Sequence, residues 1–151
     1  MIKIICVGKI KEKFFIDAIN EYQKRLSKYT KLEIIECKDY DIGSIDNIKK
    51  LESEEILKKI NDKDFVITLE IDGKSLDSIE FKDLIDKTLT TNSNLTFIIG
   101  GSYGLDDDVK SRSNYKLSFS KLTFPHQLFR IILLEQIYRA YKIINNESYH
   151  K

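Results

Sequence analysis

The chain has 151 residues, of which 42% are hydrophobic and 32% charged, and its formal net charge is +1. This composition is typical of an ordinary globular protein with a single domain over residues 1–151. No apolar run approaches the roughly 20 residues of a membrane-spanning helix, and the apolar segment at residues 2–7 is too short for a signal peptide. We therefore expect a cytoplasmic protein without a membrane partner.

Short β-branched runs alternate along the chain with segments whose apolar residues recur at helical spacing. The runs predict five strands, at Ile2–Val7, Leu32–Cys37, Phe65–Leu69, Leu95–Ile99 and Tyr115–Phe119. The other segments predict helices from Phe14 to about Ser27, over Ile48–Ile60, after a capping box at Asp77–Glu80, over Asp106–Ser113 and over His126–Ile144. Such alternation predicts an α/β fold, with a mostly parallel sheet and helices on both faces.

The last predicted helix is apolar around most of its circumference, so it must bury more than one face. One face is expected to pack on the sheet, and the second is a candidate homodimer interface. A deep internal helix in a monomer is the alternative. Glu135 and Arg139 are spaced i, i+4 on this helix, which is compatible with an ordinary surface ion pair.

Cysteine and histidine are scarce. Cys6 and Cys37 each lie in a predicted strand with no second cysteine nearby, which favours reduced structural thiols over a disulfide or a metal pair. His126 and His150 are the only histidines, so we expect no metal site.

Positive charge is concentrated in the last third of the chain. Residues 109–151 carry a net charge of +6, whereas residues 1–108 carry −5. The basic side chains of this third are Lys110, Arg112, Lys116, Lys121, Arg130, Arg139, Lys142 and Lys151. The distribution favours a phosphate-bearing partner, and solvated lysines on an ordinary surface are the alternative.

Two predicted strands end in turns that suit a ligand. Gly100-Gly101-Ser-Tyr-Gly104 follows the fourth strand, and Ser120-Lys-Leu-Thr-Phe-Pro125 follows the fifth. Open α/β sheets bind ligands at the carboxyl ends of their strands. Main-chain groups beside glycines, with apolar Leu122 and Phe124 nearby, would suit an adenine, and tight turns without a ligand are the alternative. The chain has no dinucleotide fingerprint, no P-loop and no nucleophile elbow.

Several segments together resemble one protein family over the whole chain. They are Phe97–Leu105, Leu117–Leu128, Leu134–Ala140 and Tyr149–Lys151, with further matches in Ile2–Lys9 and Leu69–Lys74. On these residues the chain resembles the ribosomal RNA large subunit methyltransferase H family, among the SPOUT methyltransferases.

The resemblance implies transfer of a methyl group from S-adenosylmethionine to N3 of a pseudouridine in 23S ribosomal RNA. It implies a homodimer and a C-terminal trefoil knot, which no sequence pattern could predict because knots are rare in proteins. It places the cofactor on residues at three strand ends, namely Leu69, Gly100, Gly101, Phe119, Ser120, Lys121, Leu122, Thr123, Phe124 and Pro125.

The resemblance also gives the chain terminus a role. His150 and Tyr149 become candidate catalytic residues, with His150 suited to removing the N3 proton. A frayed terminus would be the reading without the resemblance. We expect the tail of one subunit to close over the cofactor of the other.

Binding of RNA phosphates is expected from Arg139, Lys121 and Lys151, with Glu135 orienting Arg139. An assembled ribosomal particle is the expected substrate. Two other classes stay open, a ribosome-binding module without catalysis and a nucleotide-binding oxidoreductase.

Overall fold

The computed structural model describes all residues, 1–151, as strands and helices in alternation. In chain order these are β1 (Ile2–Val7), α1 (Lys13–Leu26), β2 (Leu32–Cys37), α2 (Ile45–Leu57), β3 (Phe65–Ser75), α3 (Ser78–Thr91), β4 (Leu95–Ile99), α4 (Asp107–Arg112), β5 (Tyr115–Ser118) and α5 (His126–Ile144). None of the helices is both long and apolar enough to cross a membrane.

The five strands form one sheet in the order β2-β1-β4-β3-β5, and every neighbouring pair is parallel. Every residue of the two inner strands β1 and β4 is buried. Parallel strands covered on both faces need such continuous apolar sequence, which explains why their residues do not alternate with polar ones. The predicted α/β class with a parallel sheet is confirmed.

Helices cover both faces of the sheet. Successive side chains of a strand point to opposite sides, so the continuous apolar strands expose apolar side chains on each face that must be buried. Ile4 and Phe97 belong to the larger apolar cluster, which includes Leu133 and neighbours from α1, α3 and α5. Ile5 and Ile98 belong to a smaller cluster on the other face, with residues from α2 and α4.

Two elements differ from their predicted bounds by more than one residue, namely β3 and α2, which also ends at Leu57 rather than at Ile60. Helix α2 begins three residues earlier than predicted because the Ser44 hydroxyl accepts a hydrogen bond from the Asn47 N–H at 3.1 Å, which caps the helix there. Strand β3 continues to Ser75, whereas it was predicted to end at Leu69. After an irregularity between Leu69 and Lys74, both of which pair with Leu117, the strand resumes its pairing with β5.

Helix α5 runs over the predicted residues and follows Pro125 directly. Its buried face includes Leu133, Leu134 and Ile137, but a second apolar stripe is only partly covered. Leu128, 37% exposed, is on this stripe, together with the partly buried Ile131 and Ile132.

Candidate functional site

A cleft opens at the irregular part of β3 and at the ends of β4 and β5. Sixteen residues line it, more than half of them hydrophobic: Leu69, Glu70, Ile71, Ile99, Gly100, Gly101, Gly104, Leu105, Leu117, Phe119, Ser120, Leu122, Thr123, Phe124, His126 and Phe129. The carboxyl edge of a parallel sheet is the usual ligand position of α/β folds. Eight of the ten residues predicted for the cofactor are therefore brought together, while Lys121 and Pro125 are exposed and lie outside the lining.

The turn after β4 packs tightly against other parts of the protein. A Cβ at Gly101 would lie 2.9 Å from Oε1 of Glu52 and 3.1 Å from Cγ1 of Val7. A Cβ at Gly100 would lie 3.0 Å from Cδ2 of Leu105. Both glycines thus lie in tight contact with the protein itself, in addition to allowing the close ligand approach that the sequence suggested. The turn closes when the Gly104 N–H donates to the Gly101 carbonyl at 3.0 Å.

Glu52 is the charged residue beneath this turn that the sequence pattern did not reveal. It is 4% exposed, and its Oε2 accepts a hydrogen bond from the Tyr40 N–H at 3.1 Å, whereas Oε1 has no partner. Burial raises the pKa of Glu52. The only available signal was its position on the inner side of α2, where an acidic residue is unusual.

The segment after β5 forms an aromatic wall. Phe119 packs edge-on against Phe81 and Phe129, with ring centroids 5.6 and 5.1 Å apart, and Phe124 stacks on Phe129 at 6.2 Å. Within the loop, the Leu122 N–H donates to Oγ of Ser120 at 2.9 Å. The Leu122 side chain is 71% exposed although it also lines the cleft.

A buried arginine connects α5 to the ends of β1 and β2. Arg130 is 2% exposed and donates to Oε2 of Glu36 at 2.7 Å and to the Gly8 carbonyl at 3.1 Å. His126, one turn earlier on α5, lies against Gly8 and lines the cleft. Burial and the positive charge of Arg130 lower the pKa of His126, so this histidine is neutral at pH 7.

The C-terminal tail folds back along α5. Asn146 has a φ of 53°, and it donates to the Ile143 carbonyl while Glu147 donates to the Lys142 carbonyl. These two bonds form a Schellman motif, which reverses the chain direction. The carboxylate of Glu147 then accepts from Nζ of Lys142 at 2.9 Å and from the Tyr29 hydroxyl at 2.7 Å. These contacts lower the pKa of Glu147 to about 2, with the Lys142 hydrogen bond as the largest cause.

Both catalytic candidates are held by one turn of α5. The Tyr149 hydroxyl donates to Oε1 of Glu135 at 3.1 Å, and Arg139 donates to the same oxygen at 2.8 Å. Nη1 of Arg139 lies 3.1 Å from Nδ1 of His150. The predicted pairing of Glu135 with Arg139 is thus present, and it includes the tail. Lys151 is exposed at the end of the chain.

The tail of one chain is not part of the cleft of that chain. Neither Tyr149 nor His150 lines the cleft. On α5 the cleft lining ends at Phe129 and the contacts of the tail begin at Glu135, six residues or about 9 Å further along the helix. The candidate cofactor residues and the candidate catalytic residues therefore do not meet within a single chain.

No group of three or more His, Cys, Asp or Glu side chains is arranged to hold a metal ion. Cys6 and Cys37 are buried free thiols, as predicted. Burial raises the pKa of Cys6 to about 12, so this thiol is not a nucleophile at neutral pH.

An α/β parallel sheet with a cleft at its carboxyl edge fits the family whose model, described as predicted SPOUT methyltransferase, matches residues 1–150. The chain belongs to this family of methyl-transferring enzymes. It is also similar to proteins named ribosomal RNA large subunit methyltransferase H. One from Clostridium botulinum (strain Kyoto / Type A2) is 59% identical, with 99% of each chain covered, and one from Caldicellulosiruptor saccharolyticus is 50% identical, with 100% of each chain covered.

Proposed function

We propose that this protein transfers a methyl group from S-adenosylmethionine to N3 of a pseudouridine in 23S ribosomal RNA, acting in the cytoplasm on an assembled ribosomal particle. The observation that carries the proposal is the full-length similarity to enzymes named for methylation of large-subunit ribosomal RNA. The cleft at the carboxyl edge of the sheet supports it, because it offers the expected donor site.

The residues of the cleft suit S-adenosylmethionine. Apolar side chains such as Leu69, Ile99 and Leu117 can enclose an adenine, and the main chain at Gly100 and Gly101 offers N–H and C=O groups for its polar edge. When bound, the cofactor supplies a methyl group on a positively charged sulfur. The protein must then hold the target nitrogen in line with that methyl group.

The distance between cleft and tail supports a homodimer with composite sites. Tyr149 and His150 are bound to α5 and do not line the cleft of their own chain. The half-exposed stripe with Leu128, Ile131 and Ile132 offers a self-complementary surface for a second copy. In such a dimer, the tail of one subunit completes the cleft of the other.

The RNA would contact the basic residues near both ends of α5. Lys121 lies in the loop that lines the cleft, and Arg139 and Lys151 accompany the tail. Contacts of these cations with phosphates would make binding weaken steeply with salt. The trefoil knot of the family stays a prediction, in which the loops after β4 and β5 would be the threaded segments.

The decisive experiment is a methyl-acceptor assay on ribosomes and on free RNA from cells lacking this protein. Labelled methyl groups should enter the large-subunit RNA at one pseudouridine, and only in the assembled particle. Failure of the protein to bind S-adenosylmethionine at millimolar concentration would favour a ribosome-binding module instead. Binding of a nicotinamide cofactor would favour an oxidoreductase.

A truncated chain tests the composite site. Deletion of residues 148–151 should leave the dimer and the cofactor affinity nearly unchanged, because the cleft lining ends at Phe129. Methylation should be abolished. Full activity in the truncated protein would refute the role of the tail.

A further inference from the structure

The contact between Arg139 and His150 determines which ring nitrogen carries the proton. Nη1 of Arg139 lies 3.1 Å from Nδ1 of His150. A guanidinium has N–H donors and no acceptor, so Nδ1 must accept this hydrogen bond and can bear no proton. The neutral ring then has its single proton on Nε2.

Arg139 is itself fixed by two further contacts. Its Nη2 donates to Oε1 of Glu135 at 2.8 Å, and its guanidinium carbon lies 4.8 Å from the centroid of the Tyr149 ring. The other oxygen of Glu135 accepts from Nε2 of Gln136 at 3.0 Å. The arginine therefore points at Nδ1 of His150 from an oriented, partly buried position.

The second candidate in the tail is no better placed to accept a proton. The Tyr149 hydroxyl donates to the Glu135 carboxylate at 3.1 Å. Burial, and then the negative charge of Glu135, raise the pKa of Tyr149, so the phenol keeps its proton at neutral pH. Because the Tyr149 proton is already donated to Glu135, the donor left for an incoming substrate is Nε2–H of His150.

We propose that His150 acts in the reaction as a hydrogen-bond donor through Nε2–H, with Arg139 as the positioning residue that fixes this tautomer. The inference rests on the proposed function and replaces the expected role of His150 as a base. Its target is a carbonyl oxygen next to N3 of the uracil ring.

Loss of the N3 proton spreads negative charge onto the two carbonyl oxygens that flank the nitrogen. A fixed N–H donor at one of them stabilises this anion, as oxyanion holes do. The N3–H bond breaks and the proton passes to a solvent water or hydroxide. The nitrogen lone pair forms the new N–C bond, while the C–S bond breaks and its electron pair stays on sulfur.

The tautomer can be read directly by nuclear magnetic resonance on the full-length protein with ¹⁵N-labelled histidine. The chain has only two histidines, and the His150→Gln variant assigns them. In the neutral ring of His150 we expect the proton on Nε2 alone, and a mixture of the two tautomers in Arg139→Leu. An Nδ1-protonated His150 in the unaltered protein would overturn the proposal, whether or not the enzyme is active.

Two substitutions of His150 separate a donor from a base. Gln places an amide donor about where Nε2 lies but cannot take up a proton, whereas Asn places its amide about where Nδ1 lies. We expect kcat to fall less than about tenfold in His150→Gln and by about a hundredfold or more in His150→Asn. A base would lose about a hundredfold or more in both variants, and its pH profile would lose one inflection in each.

The role of Arg139 is separated from direct RNA binding by a double-mutant cycle. In His150→Gln the amide nitrogen carries its protons whether or not Arg139 is present, so Arg139→Leu should then reduce kcat much less than it does in the unaltered protein. In the otherwise unaltered protein, Arg139→Lys should retain part of the kcat that Arg139→Leu loses. Equal losses in both backgrounds would assign Arg139 to RNA alone.

These outcomes differ from failure of the proposed function. Absence of methylation by the unaltered protein on any ribosomal RNA would remove the proposed function, and with it the role of His150. Active unaltered enzyme with equally inactive Gln and Asn variants would overturn only the donor role.

Discussion

Substitution of Gly73 by alanine should damage both the sheet and the cleft. Gly73 lies in the irregular part of β3, directly against the backbone of β5. A Cβ at this position would be 2.7 Å from the carbonyl carbon of Leu117, 2.8 Å from its nitrogen and 2.8 Å from the carbonyl carbon of Lys116. The obstructing atoms are backbone atoms of a paired strand, so they cannot rotate away as a side chain could.

The magnitude follows from what has to move. Overpacking typically costs 1–3 kcal/mol when side chains can adjust. Here β5 must shift and strain its pairing with β3, so we expect a loss of about 3 kcal/mol in the free energy of unfolding. With a urea dependence of about 2 kcal/mol per M, the unfolding midpoint falls by about 1.5 M. Leu69, Glu70 and Leu117 line the cleft on these strands, so the affinity for S-adenosylmethionine should fall too.

Urea unfolding and calorimetry with the cofactor measure the two effects. The matched control is Asp72→Ala, at the exposed neighbouring residue, which adds no atom to the contact. The control should change the midpoint by a few tenths of 1 M at most. Equal midpoints and equal cofactor affinities in the two variants would refute the argument from steric contact.

Three further predictions concern buried or paired charges. Burial raises the pKa of Glu52, so ionisation of this group destabilises the fold as pH rises from the unfolded pKa through the folded one. In urea titrations, Glu52→Gln should therefore gain stability relative to the unaltered protein between pH 4 and pH 8. A difference in stability that stays constant over this range would contradict the prediction. The folded pKa of Glu147 is lowered to about 2, so its contribution to tail docking should be complete above the unfolded pKa and vanish as pH falls towards 2. Glu147→Gln should therefore release the tail to carboxypeptidase even at pH 7. Equal digestion rates of the variant and the unaltered protein would argue against this role. Lys3→Met should lower the free energy of unfolding by about 3–5 kcal/mol, measured by thermal or urea unfolding, because it leaves the Asp64 carboxylate buried without its cation. A loss below about 1 kcal/mol would show that hydrogen bonds from Thr96 and the Asn61 N–H are enough to stabilise the buried carboxylate.

Sequence patterns predicted the architecture well where burial alone decides structure. The apolar runs of β1 and β4 and the capping box of α3 have the expected positions, and α5 has the predicted bounds. In these elements each local preference agrees with the tertiary packing, which makes them readable from one sequence.

Features that depend on distant partners were not predictable. Nothing near Gly73 in the chain indicates that β5 passes directly over it, and nothing near Glu52 indicates that the turn at Gly101 covers its carboxylate. Arg130 was counted among the basic residues of a charged surface, but it is fully buried against Glu36 and Gly8. Such contacts join residues far apart in sequence, so periodicity and spacing contain no information about them.

The cleft was predicted from its strand ends, but the candidate catalytic residues were not predictable from pattern. A terminal Tyr-His-Lys resembles any frayed end, and the resemblance to a family gave it significance. The structure gives a physical reason why this terminal segment has a defined conformation. The Schellman turn at Asn146 and the ion pair of Glu147 direct it onto Glu135 and Arg139.

The separation of cleft and tail within one chain has a genetic consequence. If each site takes its cleft from one chain and its tail from the other, a chain with a damaged cleft and a chain with a deleted tail are each inactive alone. Mixed dimers of the two contain one site with both parts intact. Two inactive alleles expressed together would therefore restore methylation. A defective chain paired with an intact one would inactivate only one of the two sites of the dimer.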